Sequence, residues 1–335
     1  MSNNQPVLGI IGGGQLGSML CESAKKINVS TIILSDDNNA PAQNFCERFI
    51  YSQYDNFKKI LEFTKLVDVV TYEFENIPIE TLNFILKEKK VFPEPKTNKI
   101  IQNRKTEKQF INKLNIKTTP WSYIKSKKDI QNNKNLLPGI LKTCTLGYDG
   151  KGQYVINTLN DVKDDWCFTN GYILEKKVNL KKEISVILTR FQNGEISIFE
   201  PIENVHKNQI LINSIIPAKI SDKIHKQAID NAKVIAEDLN YTGTLCVEYF
   251  IDEKESLIVN EIAPRVHNSG HLTLNAFKIS QFENHIRAVC NLDIKENLKI
   301  SNAKMINIIG KDIQEYRKKN FNKNEFFYDY LKKEI

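Results

Sequence analysis

Glu248 and Glu261 stand on either side of a short polar turn, Asp252 to Glu255. Residues 244–250 and 256–262, which flank that turn, are rich in apolar and β-branched types and read as two strands. If these strands pair, the two carboxylates converge and offer hard oxygen ligands of the kind magnesium takes. Magnesium completes its octahedron with water and nucleotide phosphates. The second strand runs on into Asn260-Glu261-Ile262-Ala263-Pro264-Arg265-Val266-His267-Asn268-Ser269-Gly270-His271. In that loop the planar guanidinium of Arg265 suits a phosphate or carboxylate, and His267 can polarise an oxygen. A solvated strand edge followed by a polar turn is the plain structural alternative.

Three other groups could bear chemistry. Gly12-Gly13-Gly14-Gln15-Leu16-Gly17 has the spacing G-x-G-x-x-G between an apolar run and a helical pattern. Such glycines permit a tight turn and close approach to a phosphate, and the helix N-terminus then presents unpaired N–H donors. Asp36 lies near the distance at which dinucleotide folds place a ribose-binding acid. Lys142 ends an apolar strand and precedes Gly147-Tyr148-Asp149-Gly150-Lys151-Gly152-Gln153, a flap able to fold over phosphates. Glu175 and Glu183, at the end of one strand and the start of the next, could receive ribose hydroxyls, or serve only as surface charge.

These groups need elements to hold them. Residues 7–11, 31–34 and 67–72 read as short apolar strands, with helical spacing at Leu16, Met19, Leu20 and Ala24 and again at Phe57, Ile60 and Leu61. Strands alternating with helices predict a parallel sheet covered on both faces, a Rossmann-like unit. Pro93 and Pro95 mark a boundary, and a helix over 104–114 follows. Gln192-Asn193-Gly194 between two strand-like runs predicts a hairpin, and residues 221–239 a helix.

Composition narrows the class. A chain of 335 residues with 41% hydrophobic and 26% charged residues has the makings of two or three globular domains. The net charge of +7 comes from lysines scattered among acids, a solvated surface more than a nucleic-acid footprint. There is no apolar run of about 18 residues that would span a membrane, and no secretory pattern at the N-terminus. The expected location is the cytoplasm. The six cysteines show no metal-ligand spacing and read as free thiols.

Taken in order, Ile11 to Gly17, Thr71-Tyr72-Glu73-Phe74-Glu75-Asn76, Gly147 to Gln153, Asn204-Val205-His206 and Asn260 to His271 resemble the ATP-grasp superfamily. Within it they resemble the N5-carboxyaminoimidazole ribonucleotide synthetases, over nearly the whole chain. The resemblance implies an α/β ATP-grasp fold: a Rossmann-like domain over 1–100, a central lid over 101–178, and a C-terminal α+β domain over 179–335 with a shortened tail. It implies ATP contacts from Arg104, Lys142, Gly147, Asp149, Gly150, Lys151, Gly152, Gln153, Glu175, Val178, Glu183, His206, Asn260 and Glu261, and magnesium on Glu248 and Glu261. Gly14, Gln15, Leu16, Glu73, Tyr148, Arg265, His267, Asn268 and Ser269 would form the ribonucleotide pocket, with Tyr148, Arg265 and His267 at the chemistry. The implied reaction makes carboxyphosphate from bicarbonate and ATP and passes its carboxyl to aminoimidazole ribonucleotide, and the implied assembly is a homodimer.

The chain departs from the family pattern in places. Leu146 stands where a glycine is usual, and Cys144 and Thr145 where basic residues are common. The sequence stops at Leu331 to Ile335, where family members generally continue into an Arg-Lys-x-Gly-His segment whose lysine helps hold the ribonucleotide, so one cationic contact fewer is expected. A nicotinamide-dependent dehydrogenase would account for Gly12 to Gly17 and Asp36 but leaves Glu248, Glu261 and the lid loop unused. A degenerate protein that binds nucleotide without turnover is the other alternative.

Overall fold

The computed structural model describes residues 5–147, 152–163, 166, 168–308 and 310–330. The first apolar runs form a parallel five-stranded sheet from β1 (Leu8–Ile11), β2 (Thr31–Ser35), β3 (Arg48–Tyr51), β4 (Val69–Tyr72) and β5 (Lys90–Val91), in the order β3-β2-β1-β4-β5. Both faces of β1, β2 and β4 are buried, which is why these strands read as unbroken apolar runs. Helices α1 (Gln15–Lys26), α2 (Phe57–Thr64) and α3 (Ile79–Leu86) cover the faces. The parallel sheet expected for the first hundred residues is therefore present.

Next come α4 (Pro95–Ile101) and α5 (Arg104–Lys113), the latter capped by the Asn103 side chain, which accepts the N–H groups of Lys105 and Thr106. Beyond them lies a small antiparallel sheet in the order β6-β9-β7-β8, built from β6 (Trp121–Ile124), β7 (Gly139–Thr143), β8 (Gln153–Ile156) and β9 (Tyr172–Lys176), with α6 (Lys127–Asn132) beside it.

The third sheet is antiparallel: β10 (Leu180–Arg190), β11 (Ile196–Ile198), β12 (Ile202–Lys207), β13 (Ile210–Ile216), β14 (Gly243–Asp252), β15 (Leu257–Ala263) and β16 (Ala303–Ile306). Its order is β15-β14-β10-β12-β13-β16, with β11 folded back on β10 through the expected hairpin at Gly194. Helix α7 (Asp222–Asp238) is capped by Ser221 and lays Ile224, Ala228, Ala232 and Ile235 on this sheet. That spacing of four, four and three keeps one face toward the core. Ile101 and Ile111, from α4 and α5, join the same core.

The short α8 (Thr273–Ala276) leads to α9 (Gln281–Val289), which fastens the first sheet to the third. His285 on α9 accepts the Thr244 N–H at Nδ1 (2.9 Å) and so holds its proton on Nε2, 2.8 Å from Thr71 Oγ1. Burial keeps this ring neutral, pushing its pKa down to about 3. Among the described residues no helix is long and apolar enough to cross a membrane. Cys21, Cys46, Cys144, Cys246 and Cys290 are free thiols, as expected.

Candidate active site

A cleft of about 1520 Å³ opens between the three sheets. Of the residues singled out from the sequence, it brings together Gln15, Arg104, Lys142, Gly147, Gln153, Glu175, Val178, Glu183, His206, Glu248, Asn260, Glu261, Arg265, His267 and Asn268. They come from the second and third sheets, from α1 and α5 and from loops, so no one element holds the site.

At its base β14 and β15 pair with Glu248 directly opposite Glu261. The register slips just beyond, so Asn260 is an extra residue with no partner on β14, a β-bulge. Glu261 accepts a hydrogen bond from Arg104 Nη1 (2.9 Å), and Glu248 Oε1 lies 2.9 Å from His267 Nε2. Asn260 Oδ1 is buried with no hydrogen-bond partner. Two carboxylates and an unsatisfied amide oxygen within one bulge form an all-oxygen donor set suited to magnesium. Burial opposes the charge on Glu261, but Arg104 outweighs it and holds the carboxyl well below the usual range.

Above this pair lies a buried ion cluster. Lys142 Nζ sits 2.6 Å from Glu175 Oε2, and Lys108 Nζ is 2.8 Å from Glu175 Oε1 and 2.8 Å from the Asn260 carbonyl oxygen. Burial works against the Glu175 charge, yet the two lysines bring its pKa down to about 2. Glu175 is thus engaged by two cations. The Lys142 pKa is lowered too, by burial despite Glu175, which for a base disfavours the charge. Glu107 Oε1 accepts the Ile262 N–H (2.6 Å), and burial raises its carboxyl to about 7. Glu183 Oε2 lies 2.5 Å from His206 Nδ1; burial opposes charging that ring, but the carboxylate raises its pKa overall.

On the side of the first sheet, Arg265 grips Glu75, with Nε to Oε2 at 2.6 Å and Nη2 to Oε1 at 3.4 Å. Glu75 was legible as part of the Thr71 to Asn76 motif without a role. Glu107 and Lys108 were not singled out at all. The signal was weak: Arg104 and Lys108 lie one helical turn apart, but nothing local distinguishes a buried lysine among 47 lysines and arginines. His267 lies deep in the cleft, its Nδ1 2.8 Å from Ser269 Oγ. Burial disfavours its charge, whereas the Cys246 sulfur and Glu248 favour it and raise the pKa to about 10.

Some expectations need correction. The glycine loop does not present an open row of donors. Glu73 fills it, its Oε1 accepting the Gly14 N–H (2.7 Å) and its Oε2 the Gly17 N–H (3.2 Å). A Cβ on Gly14 would sit 2.9 Å from Glu73 Oε1, so the glycines make room for a carboxylate of the protein itself. Leu16 packs in the core of the first sheet, Glu73 is buried against the loop and Ser269 is fully buried, whereas Gly14 stays partly exposed beside Gln15. The glycine usual in the family at position 146 finds its explanation here, since Leu146 has φ +60°, in the left-handed region. Gly152 has φ +74° and passes against Thr143. Tyr148, Asp149, Gly150, Lys151 and the tail residues 331–335 lie outside the described residues.

Two family models match the chain: the ribonucleotide synthetase preATP-grasp domain over residues 6–102 and the ATP-grasp domain over residues 109–282. The N5-carboxyaminoimidazole ribonucleotide synthase of Bacillus subtilis (strain 168) is 40% identical over 313 residues, covering 92% of this chain and 82% of that protein. Among solved structures, an ADP complex of an N5-carboxyaminoimidazole ribonucleotide synthetase superposes with a TM-score of 0.89 at 38% identity, covering 94% of this chain and 84% of that one. The Aspergillus clavatus synthase in complex with ADP and 5-aminoimidazole ribonucleotide superposes with a TM-score of 0.83 at 28% identity, over 92% and 83% of the two chains. A likeness of this extent, running through both matched domains, carries the earlier resemblance to its conclusion: the chain belongs to the N5-carboxyaminoimidazole ribonucleotide synthase family of ATP-grasp ligases.

Proposed function

We propose that this protein carboxylates 5-aminoimidazole ribonucleotide at its exocyclic amine, using bicarbonate and ATP and releasing ADP and phosphate, a step of purine biosynthesis. The observation that carries this reading is the single cleft in which nucleotide-type groups (Lys142, Glu183, His206) meet the Glu248/Glu261 pair and the Arg265–His267 loop. Family membership supplies the substrate class.

In this reading three units, 1–100, 101–178 and 179–335, divide the work. Arg104 and Lys142 offset phosphate charge, while Val178, Glu183 and His206 receive the rest of the nucleotide. Magnesium, held by Glu248 and Glu261 with Asn260 Oδ1 at hand, would neutralise the triphosphate during transfer. Bicarbonate oxygen attacks the γ-phosphorus and ADP leaves. The carboxyphosphate formed gives its carboxyl to the ribonucleotide amine, which loses a proton, and phosphate departs. Arg265 suits the carboxylate by its fork geometry, and in this reading His267 polarises an oxygen of the carboxyl in transit. To do so Arg265 must exchange Glu75 for the substrate. Gly147 to Gln153 would close over the phosphates and keep water from the intermediate, with Tyr148 on the ribonucleotide side. Gln15 and Asn268, on the cleft wall, complete the pocket. A homodimer is the proposed assembly, to be checked by light scattering.

The test is ADP release in bicarbonate buffer, with and without the ribonucleotide. Strong stimulation by the ribonucleotide, with carboxylated product in equal amount, is expected. ADP release indifferent to it would overturn the reading.

A further inference from the structure

Asn204 belongs to one of the sequence motifs, yet it does not line the cleft. It is buried in β12, and its amide is used at both ends. Ser214 Oγ on β13 donates to Asn204 Oδ1 (2.8 Å), and Asn204 Nδ2 donates to Ser185 Oγ on β10 (2.9 Å). Ser185 Oγ is 2.8 Å from Ser269 Oγ, and Ser269 Oγ is 2.8 Å from His267 Nδ1. Ser185, Ser214 and Ser269 are fully buried. An unbroken line of four hydrogen bonds thus runs across three neighbouring strands of the third sheet to the back of the imidazole.

We propose that Asn204 and Ser185 are positioning residues for His267, acting through Ser269. The physical case rests on geometry. The ring follows Pro264 and Arg265 in a loop, and a loop alone does not fix a side chain to within a few tenths of an ångström. On its front the ring has Glu248, 2.9 Å from Nε2, with the Cys246 sulfur also at hand, and that carboxylate has a proposed second task at the metal. The back must therefore hold the ring when Glu248 turns to other partners. Serine hydroxyls rotate, so the line holds whether Nδ1 accepts or donates. Asparagine suits its place between Ser214 and Ser185 because its amide accepts through Oδ1 and donates through Nδ2 at once, with the two roles fixed to opposite atoms. A buried line of this kind strengthens along its length, and removing one member leaves others unsatisfied. The inference rests on the proposed role of His267 in the carboxyl transfer.

The test uses Asn204→Ala, Ser185→Ala and their double variant in the full chain. The expected outcome is a kcat lower by about 10- to 100-fold, as for a catalytic group displaced by a fraction of an ångström, with the KM for ATP changed less than about twofold. The double variant should be no slower than the worse single one, because one line broken twice is broken once. In protein labelled with 15N-histidine, the His267 ring signals, assigned by their loss in His267→Ala, should shift in each variant while those of His225 stay. Unmoved His267 signals, or wild-type kcat in Ser185→Ala, the variant least disturbing to packing, would overturn the proposal. A fully active His267→Ala would instead strike at the proposed role of His267, leaving the histidine signals to judge whether the line reaches the ring.

Discussion

Replacing Lys108 by methionine keeps a long apolar stem and removes the ammonium. In the native protein this side chain has 0% exposure, and its Nζ serves both Glu175 Oε1 and the Asn260 carbonyl at 2.8 Å. The Glu175 carboxyl falls from an ordinary 4.5 to about 2 through Lys108 and Lys142, against burial. At about 1.4 kcal/mol per pH unit, the two cations together stabilise the folded state by about 3 kcal/mol. Losing one forfeits part of this and strands the Asn260 carbonyl, which costs a further 1–3 kcal/mol or so. The combined loss should be about 3–5 kcal/mol, the range for breaking a buried pair on one side.

Urea unfolding at several pH values gives the readout. A depressed acid contributes fully above its unfolded pKa and loses the contribution as pH falls through the folded one. The window for Glu175 therefore lies between about 4.5 and about 2. Wild type should lose stability there, and Lys108→Met should start less stable and lose less. The reasoning is refuted if Lys108→Met lies within about 1 kcal/mol of wild type at pH 7, for then the cluster contributes no more than a surface ion pair does.

Other outcomes follow from the same site and its surroundings. Glu261→Gln should leave the fold intact and reduce turnover by orders of magnitude, with more magnesium needed for what remains; ordinary activity at ordinary magnesium would dismiss its role. Glu73→Gln turns an amide donor toward the Gly14 or Gly17 N–H and should cost about 1–3 kcal/mol, visible in thermal unfolding. An unchanged melting point would mean that the glycine loop does not depend on this carboxylate. Leu146→Gly relieves a left-handed backbone at a side chain 71% exposed, and should stabilise by about 1 kcal/mol; a loss of that size would show that Leu146 makes contacts worth more than its strain.

Much of this protein was readable before any fold was known, because local physics writes local patterns. The buried strands of the first sheet show as apolar runs, α7 as a spacing of four, four and three, and the β10–β11 hairpin as Asn193-Gly194. That Glu248 and Glu261 lie on neighbouring strands was also accessible, since only a short turn separates them; that they stand directly opposite was not, because the register counted from the turn sets Glu248 against Asn260 and the bulge shifts it by one residue. What sequence could not show were the choices made between residues far apart in the chain. Glu73 lies 56 residues from Gly17 and claims two of the donors that a phosphate could take, the Gly14 and Gly17 N–H groups. Glu75 lies 190 residues from Arg265 and holds its guanidinium, and Lys108 is 152 residues from the carbonyl it binds. A glycine motif reads the same whether its donors meet a ligand or a carboxylate, and a lysine reads the same buried or solvated. Charge, burial and partner are properties of the assembled neighbourhood, and only packing the three sheets around one cleft brings that neighbourhood into being.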